Sequence, residues 1–133
     1  MRHSPIGGGR VDLFKATRNE LREWLQARRA AICWEADGRE SSVALSTQGG
    51  LNFLVNGKCD GHSVGDASTQ VMLGLVGALL HPQPRRSLVV GLGTGSSAGW
   101  LGVVPTMERV DVVELEPAIE EVIHTHDPVI ALH

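Results

Sequence analysis

Apolar residues recur at helical spacing through residues 13–31, where Leu13, Phe14, Leu21, Trp24, Leu25 and Ala31 stand among many charges. With strong helix formers between them, they predict an amphipathic helix suited to packing or to oligomerisation. The period then shortens. Residues 31–36 read as a strand, Asp37-Gly38 as a tight turn, and residues 42–46 alternate with Val43 and Leu45 on one face. Gln48-Gly49-Gly50 turns the chain again, and residues 51–55 form a third strand closed by Asn56-Gly57. Three short strands joined by turns make a small antiparallel meander, which needs a neighbour to cover one face.

A different pattern begins at Asp66, a plausible N-cap for residues 69–80, which are apolar nearly all round as in a buried helix. His81-Pro82-Gln83-Pro84 ends that helix, and the run Leu88-Val89-Val90 enters Gly91-Leu92-Gly93-Thr94-Gly95. Residues 96–104 read as a crossover helix stopped by Pro105, and residues 110–115 as a second strand. Pro117 fits the first turn of a further helix reaching about His126, and Val129-Ile130-Ala131-Leu132 could begin a third strand. The fold class is therefore α/β, a small antiparallel β-meander followed by a truncated Rossmann-like βαβ unit. It divides into a disordered N-terminus (1–12), the amphipathic helix (13–31), a meander domain (32–65) and a partial nucleotide-binding domain (66–133).

Composition narrows the function classes. The 133 residues are 42% hydrophobic, enough to bury a core. A net charge of −3, scarce aromatics and no Tyr give no footprint for nucleic acid and no base-stacking platform. Cys33 and Cys59 have no metal or redox spacing and read as isolated buried thiols. His124 and His126 lack a second pair, so no metal is expected. No secretory signal is visible and the longest apolar stretch, residues 71–80, is too short to span a membrane, so a cytoplasmic protein is expected.

The chemistry concentrates in residues 87–116. Glycines at alternate positions allow a sharp turn that brings bare backbone against a ligand, followed by the unpaired N–H groups of a helix start at Ser96. The dinucleotide fingerprint wants its third glycine where Ser96 stands, which disfavours a pyrophosphate ligand such as NAD. The tighter Gly-x-Gly-x-Gly form suits S-adenosylmethionine or a relative. Glu114, nineteen positions after Gly95, can accept hydrogen bonds from both hydroxyls of a ribose. Glu116 shares its strand face but lies farther past the strand end. Gly91, Gly93, Thr94, Gly95 and Glu114 are thus the candidate nucleoside-binding residues.

Residues 31–121 resemble the spermidine synthase (polyamine aminopropyltransferase) family, especially bacterial spermidine synthase-like proteins that are sometimes fused to membrane transporters. The resemblance rests on Val55-Asn56-Gly57, Gly65-Asp66-x-x-Thr69-Gln70, Leu80-His81-Pro82-x-Pro84, Val89-Val90-Gly91-Leu92-Gly93-Thr94-Gly95 and Val112-Val113-Glu114-Leu115-Glu116-Pro117, in that order. It implies an N-terminal β-domain leading into a Rossmann-like domain. It also implies decarboxylated S-adenosylmethionine as co-substrate, no prosthetic group, and aminopropyl transfer to an amine such as putrescine. By this mapping Gly91, Gly93 and Gly95 line the nucleotide site and Glu114 holds the ribose. Displacement at carbon by an amine needs the amine neutral, hence a carboxylate to position or deprotonate it.

The departures lie near the amine. Thr69-Gln70 replaces a Tyr-His pair, and Thr94 replaces an Asp within the glycine loop. Asp66 and Gln70 are the remaining candidate substrate contacts. Asp60 is a further nearby acid, with a loop acid the plainer role for it and a helix cap for Asp66. The family's catalytic Asp would follow His133, so no catalytic residue is assigned and the chain is expected to be a truncated product, inactive alone. Completion by partner subunits, including a homo-oligomer, is the alternative. Two other functions stay open: a methyltransferase-like S-adenosylmethionine domain and a non-enzymatic interaction module.

Overall fold

The computed structural model describes residues 15–130, and the side chains of residues 15–125. Segment 1–12, with Leu13 and Phe14 of the amphipathic pattern, lies outside the described residues, as do Ala131 and Leu132. The elements run α1 (Arg18–Ala30), β1 (Ile32–Asp37), β2 (Ser42–Ser46), β3 (Asn52–Val55), β4 (Lys58–His62), α2 (Ala67–Leu80), β5 (Arg86–Val90), α3 (Ser96–Gly102), β6 (Arg109–Val113) and α4 (Pro117–Ile130). A capping box starts α1: Thr17 Oγ1 accepts from the Glu20 N–H, and the Glu20 carboxylate accepts from the Thr17 N–H.

The meander has four strands in the order β1-β2-β3-β4, not three, each antiparallel to the next. Asn56 (φ 49°) and Gly57 (φ 77°) both lie in the left-handed region, the pair of conformations a two-residue type I′ hairpin needs. That turn sends the chain straight back along β3. The return strand, Lys58-Cys59-Asp60-Gly61-His62, is polar and without alternation, so its pairing comes from backbone hydrogen bonds rather than from a buried side-chain row. Phe53 pairs with Gly61 but Leu54 with Cys59, which leaves Asp60 in a bulge.

The neighbour that the meander needs is α4. Val43, Leu45 and Phe53 form the buried core with Ala118, Ile119 and Val122, and Trp34, Leu51, Val55, Leu92 and Ile123 pack around it. The helix that Pro117 opens runs on to Ile130, so Val129 and Ile130 lie within it rather than opening a third strand. Cys33 and Cys59 are free thiols and exposed rather than buried.

β5 and β6 pair in parallel, Arg86 opposite Arg109 through Val90 opposite Val113, joined by α3. α3 ends at Gly102, one turn short of Pro105. α2 is not a buried helix: only Gly74 and Ala78 are buried, while Met72, Leu73, Val76, Leu79 and Leu80 are exposed. Leu88, Val90 and Val113 are also exposed, so this small parallel sheet leaves apolar surface facing outward.

Where α2 does pack, it packs on α3 at very close range. A Cβ built on Gly74 would stand 2.5 Å from the Ser97 carbonyl oxygen, which is backbone and cannot rotate away. Gly74→Ala should therefore cost about 1–3 kcal/mol through overpacking, despite the helix propensity of Ala. Urea unfolding checks this, and Gly77→Ala, where nothing lies within 4 Å, is the control expected to lose nothing.

Candidate nucleoside site

The parallel register builds the site. Because Val90 and Val113 are the last paired residues, the next ones, Gly91 and Glu114, emerge side by side at the carboxyl ends of the strands. The Gly91 N–H continues the ladder to Val113 O (2.8 Å). One residue on, the Leu92 N–H donates to Glu114 Oε2 (2.7 Å). Gly91, Gly93 and Gly95 have φ of 88°, 54° and 78°, so the loop alternates into left-handed conformations that other residues adopt only with strain. Beside Gly91 and Gly93 there is open space within 4 Å, so conformation rather than crowding calls for glycine there. Gly95 closes the loop by donating to Leu92 O (2.9 Å) and serves as N-cap of α3.

Glu114 is half-buried and its carboxylate is well supplied with donors. Oε1 accepts the N–H groups of Leu115 (2.7 Å) and Glu116 (2.9 Å), in addition to the Leu92 N–H on Oε2. Burial pushes this carboxyl up, but hydrogen bonds from the N–H groups of Glu116, Leu92, Leu115 and Gly93 outweigh burial and hold it below the ordinary 4.5. It is an anion set against the glycine loop.

Glu116 faces the other way. It is 3% exposed, and its carboxylate accepts from Arg39 (3.2 Å), Glu40 (2.7 Å) and Ser41 (3.0 Å) in the β1–β2 turn, and from Ala118 (3.1 Å) at the start of α4. It clasps the meander to the βαβ unit. The Ala118 N–H is the largest influence on its pKa, which the turn's N–H groups also lower against the effect of burial.

Thr94 and Gln70, two of the three positions that depart from the pattern of the resemblance, meet. Thr94 Oγ1 donates to Gln70 Oε1 (3.0 Å) and pairs with Ser96 Oγ (3.1 Å). They line a cavity of about 20 Å³ with Leu45, Leu51, Phe53, Gly61, Ser63 and Ser96, room for roughly one water molecule and without a charged group. Asp66 stands at the N-cap of α2 but does not cap it; its Oδ2 instead accepts the His62 N–H (2.8 Å) and closes the β4–α2 turn. Asp60 pairs with Lys58 (2.8 Å) on the exposed edge of β4. Gly61 is the member of this cluster that pattern reasoning misses. Its signal is a lone glycine inside a strand, which marks close approach of another group.

Among the described residues no group of three or more His, Cys, Asp and Glu could hold a metal ion. No described helix is long and apolar enough to cross a membrane.

No protein-family profile matches the chain. A polyamine aminopropyltransferase of Vibrio vulnificus (strain CMCP6) is 35% identical over 52 residues, 39% of this chain and 17% of that protein. The fold matches spermidine synthase bound to the transition-state analogue AdoDATO, with a TM-score of 0.67 at 17% identity over 72% of this chain. The fold of the chain is spermidine synthase-like. A second solved spermidine synthase, from Thermotoga maritima, matches to the same degree. The chain spans 33% and 35% of these two structures.

Proposed function

We propose that the chain holds a nucleoside of the decarboxylated S-adenosylmethionine or methylthioadenosine type, in the manner of an aminopropyltransferase. The supporting observation is the placement of the Glu114 carboxylate at the strand ends, 2.7 Å from the Leu92 N–H of a loop with three left-handed glycines. Ribose hydroxyls donate to a carboxylate, and the loop offers backbone on which the nucleoside can rest. Glu114 accepts three backbone N–H groups, one on Oε2 and two on Oε1, and a carboxylate has about four acceptor sites, so a ribose hydroxyl adds on the Oε2 side. The amine is a co-substrate in this reading, and Asp66, whose Oδ2 accepts one backbone N–H, and Gln70 are the side chains proposed to contact it.

Titration calorimetry with methylthioadenosine, decarboxylated S-adenosylmethionine and S-adenosylmethionine tests the proposal. Saturable binding is expected, with the first two preferred. No heat with any of the three would sink it, and preference for the carboxylated ligand would favour a methyltransferase-like site.

A further inference from the structure

Ordering the glycine loop is costly, because each of its three left-handed glycines gives up more conformational freedom on being fixed than another residue would. Its backbone is tied at Gly91 to Val113, at Leu92 to Glu114 and at Gly95 back to Leu92. The tie to α2 is made by a side chain, Thr94 Oγ1 to Gln70 Oε1 (3.0 Å). Gln70 is itself well anchored. Its N–H donates to Asp66 O (2.9 Å) in the first turn of α2, and its carbonyl oxygen accepts from Ser97 Oγ (2.9 Å) on α3. The third wall is β4, whose Gly61 abuts the pair so closely that a Cβ there would stand 2.5 Å from Thr94 Cγ2 and 2.8 Å from Gln70 Nε2. Both partners are half-buried, so water competes with this hydrogen bond only in part.

We infer that Gln70 is a positioning residue for the glycine loop: through Thr94 it fixes the loop in the geometry that receives the nucleoside. The inference rests on the reading under Proposed function for what the loop receives. The hydrogen bond lies wholly within the protein, so its contribution is preorganisation: without it the ligand must order the loop itself. A neutral hydrogen bond of this kind is worth a factor of about 3–10 in affinity.

The test is a double-mutant cycle read by methylthioadenosine affinity and by amide hydrogen exchange of residues 91–96, on the full chain. Gln70→Ala and Thr94→Val should each weaken binding about 3–10-fold and speed loop exchange. The double variant should be no worse than either alone, and Thr94→Ser, which keeps the hydroxyl, should restore both. Loop exchange that Gln70→Ala leaves unchanged would overturn the inference, whatever the ligand result. So would affinity losses that add in the double variant. If the unmodified chain binds no nucleoside while Gln70→Ala still speeds loop exchange, the positioning stands and the nucleoside reading falls.

Discussion

Glu114→Ala should reduce methylthioadenosine affinity by roughly 10–100-fold, the value of one or two hydrogen bonds to a charged acceptor. The same substitution removes the acceptor for the Leu92 N–H, so part of the loss is loop disorder rather than missing ribose contact. Glu114→Gln separates the two. It keeps an oxygen but sets an amide NH₂ where the present carboxylate accepts N–H groups of Leu92, Leu115 and Glu116. Affinity should fall nearly as far, while loop exchange is perturbed less than in Glu114→Ala. Calorimetry on the three proteins checks this. Undiminished binding in Glu114→Ala would move the ligand elsewhere on the molecule.

How far the sequence discloses this arrangement depends on the kind of interaction. Side-chain rows are legible in part. Val43 and Leu45 reach the core as alternation predicts, although Ala44 between them is buried too. The apolar runs form strands leading to Gly91 and Glu114 yet leave Leu88, Val90 and Val113 exposed. Backbone pairing is not legible in this way. β4 has no apolar row, and only the geometry of Asn56-Gly57 dictates that Lys58 turns back along Val55. Burial of a helix is not legible from its composition either, since α2 is apolar all round yet packs chiefly through Gly74 and Ala78. Carboxylate roles are the least legible. Glu114 and Glu116 are two residues apart in one strand-like pattern, yet one meets the glycine loop and the other a hairpin 75–77 positions away. Likewise Thr94 and Gln70 look like two separate departures from a family pattern, and only the packing of α2 on α3 joins them.

Glu116 should matter most for stability. Its buried carboxylate is the common acceptor for three consecutive N–H groups of the β1–β2 turn and one at the start of α4. Glu116→Ala leaves these donors without their partner and should lower Tm by about 5–10 °C. Gly38→Ala should act through the same clasp, because a Cβ there would overlap the Glu116 carboxylate. It should therefore cost far less in the Glu116→Ala background than in the native one. The acid limb of the stability curve follows from the same groups. The carboxyls of Glu114 and Glu116 both lie below the ordinary 4.5 when folded, so the unfolded chain binds more protons as the pH falls. Their stabilisation is complete above the unfolded value and is lost as pH drops through the folded one. Urea midpoints measured between about pH 3 and pH 6 should fall steeply on the acid side and flatten above about pH 5. Glu116→Gln should make the acid limb shallower by its share while lowering the plateau. If that variant instead keeps the full acid slope, the clasp is not what acid breaks.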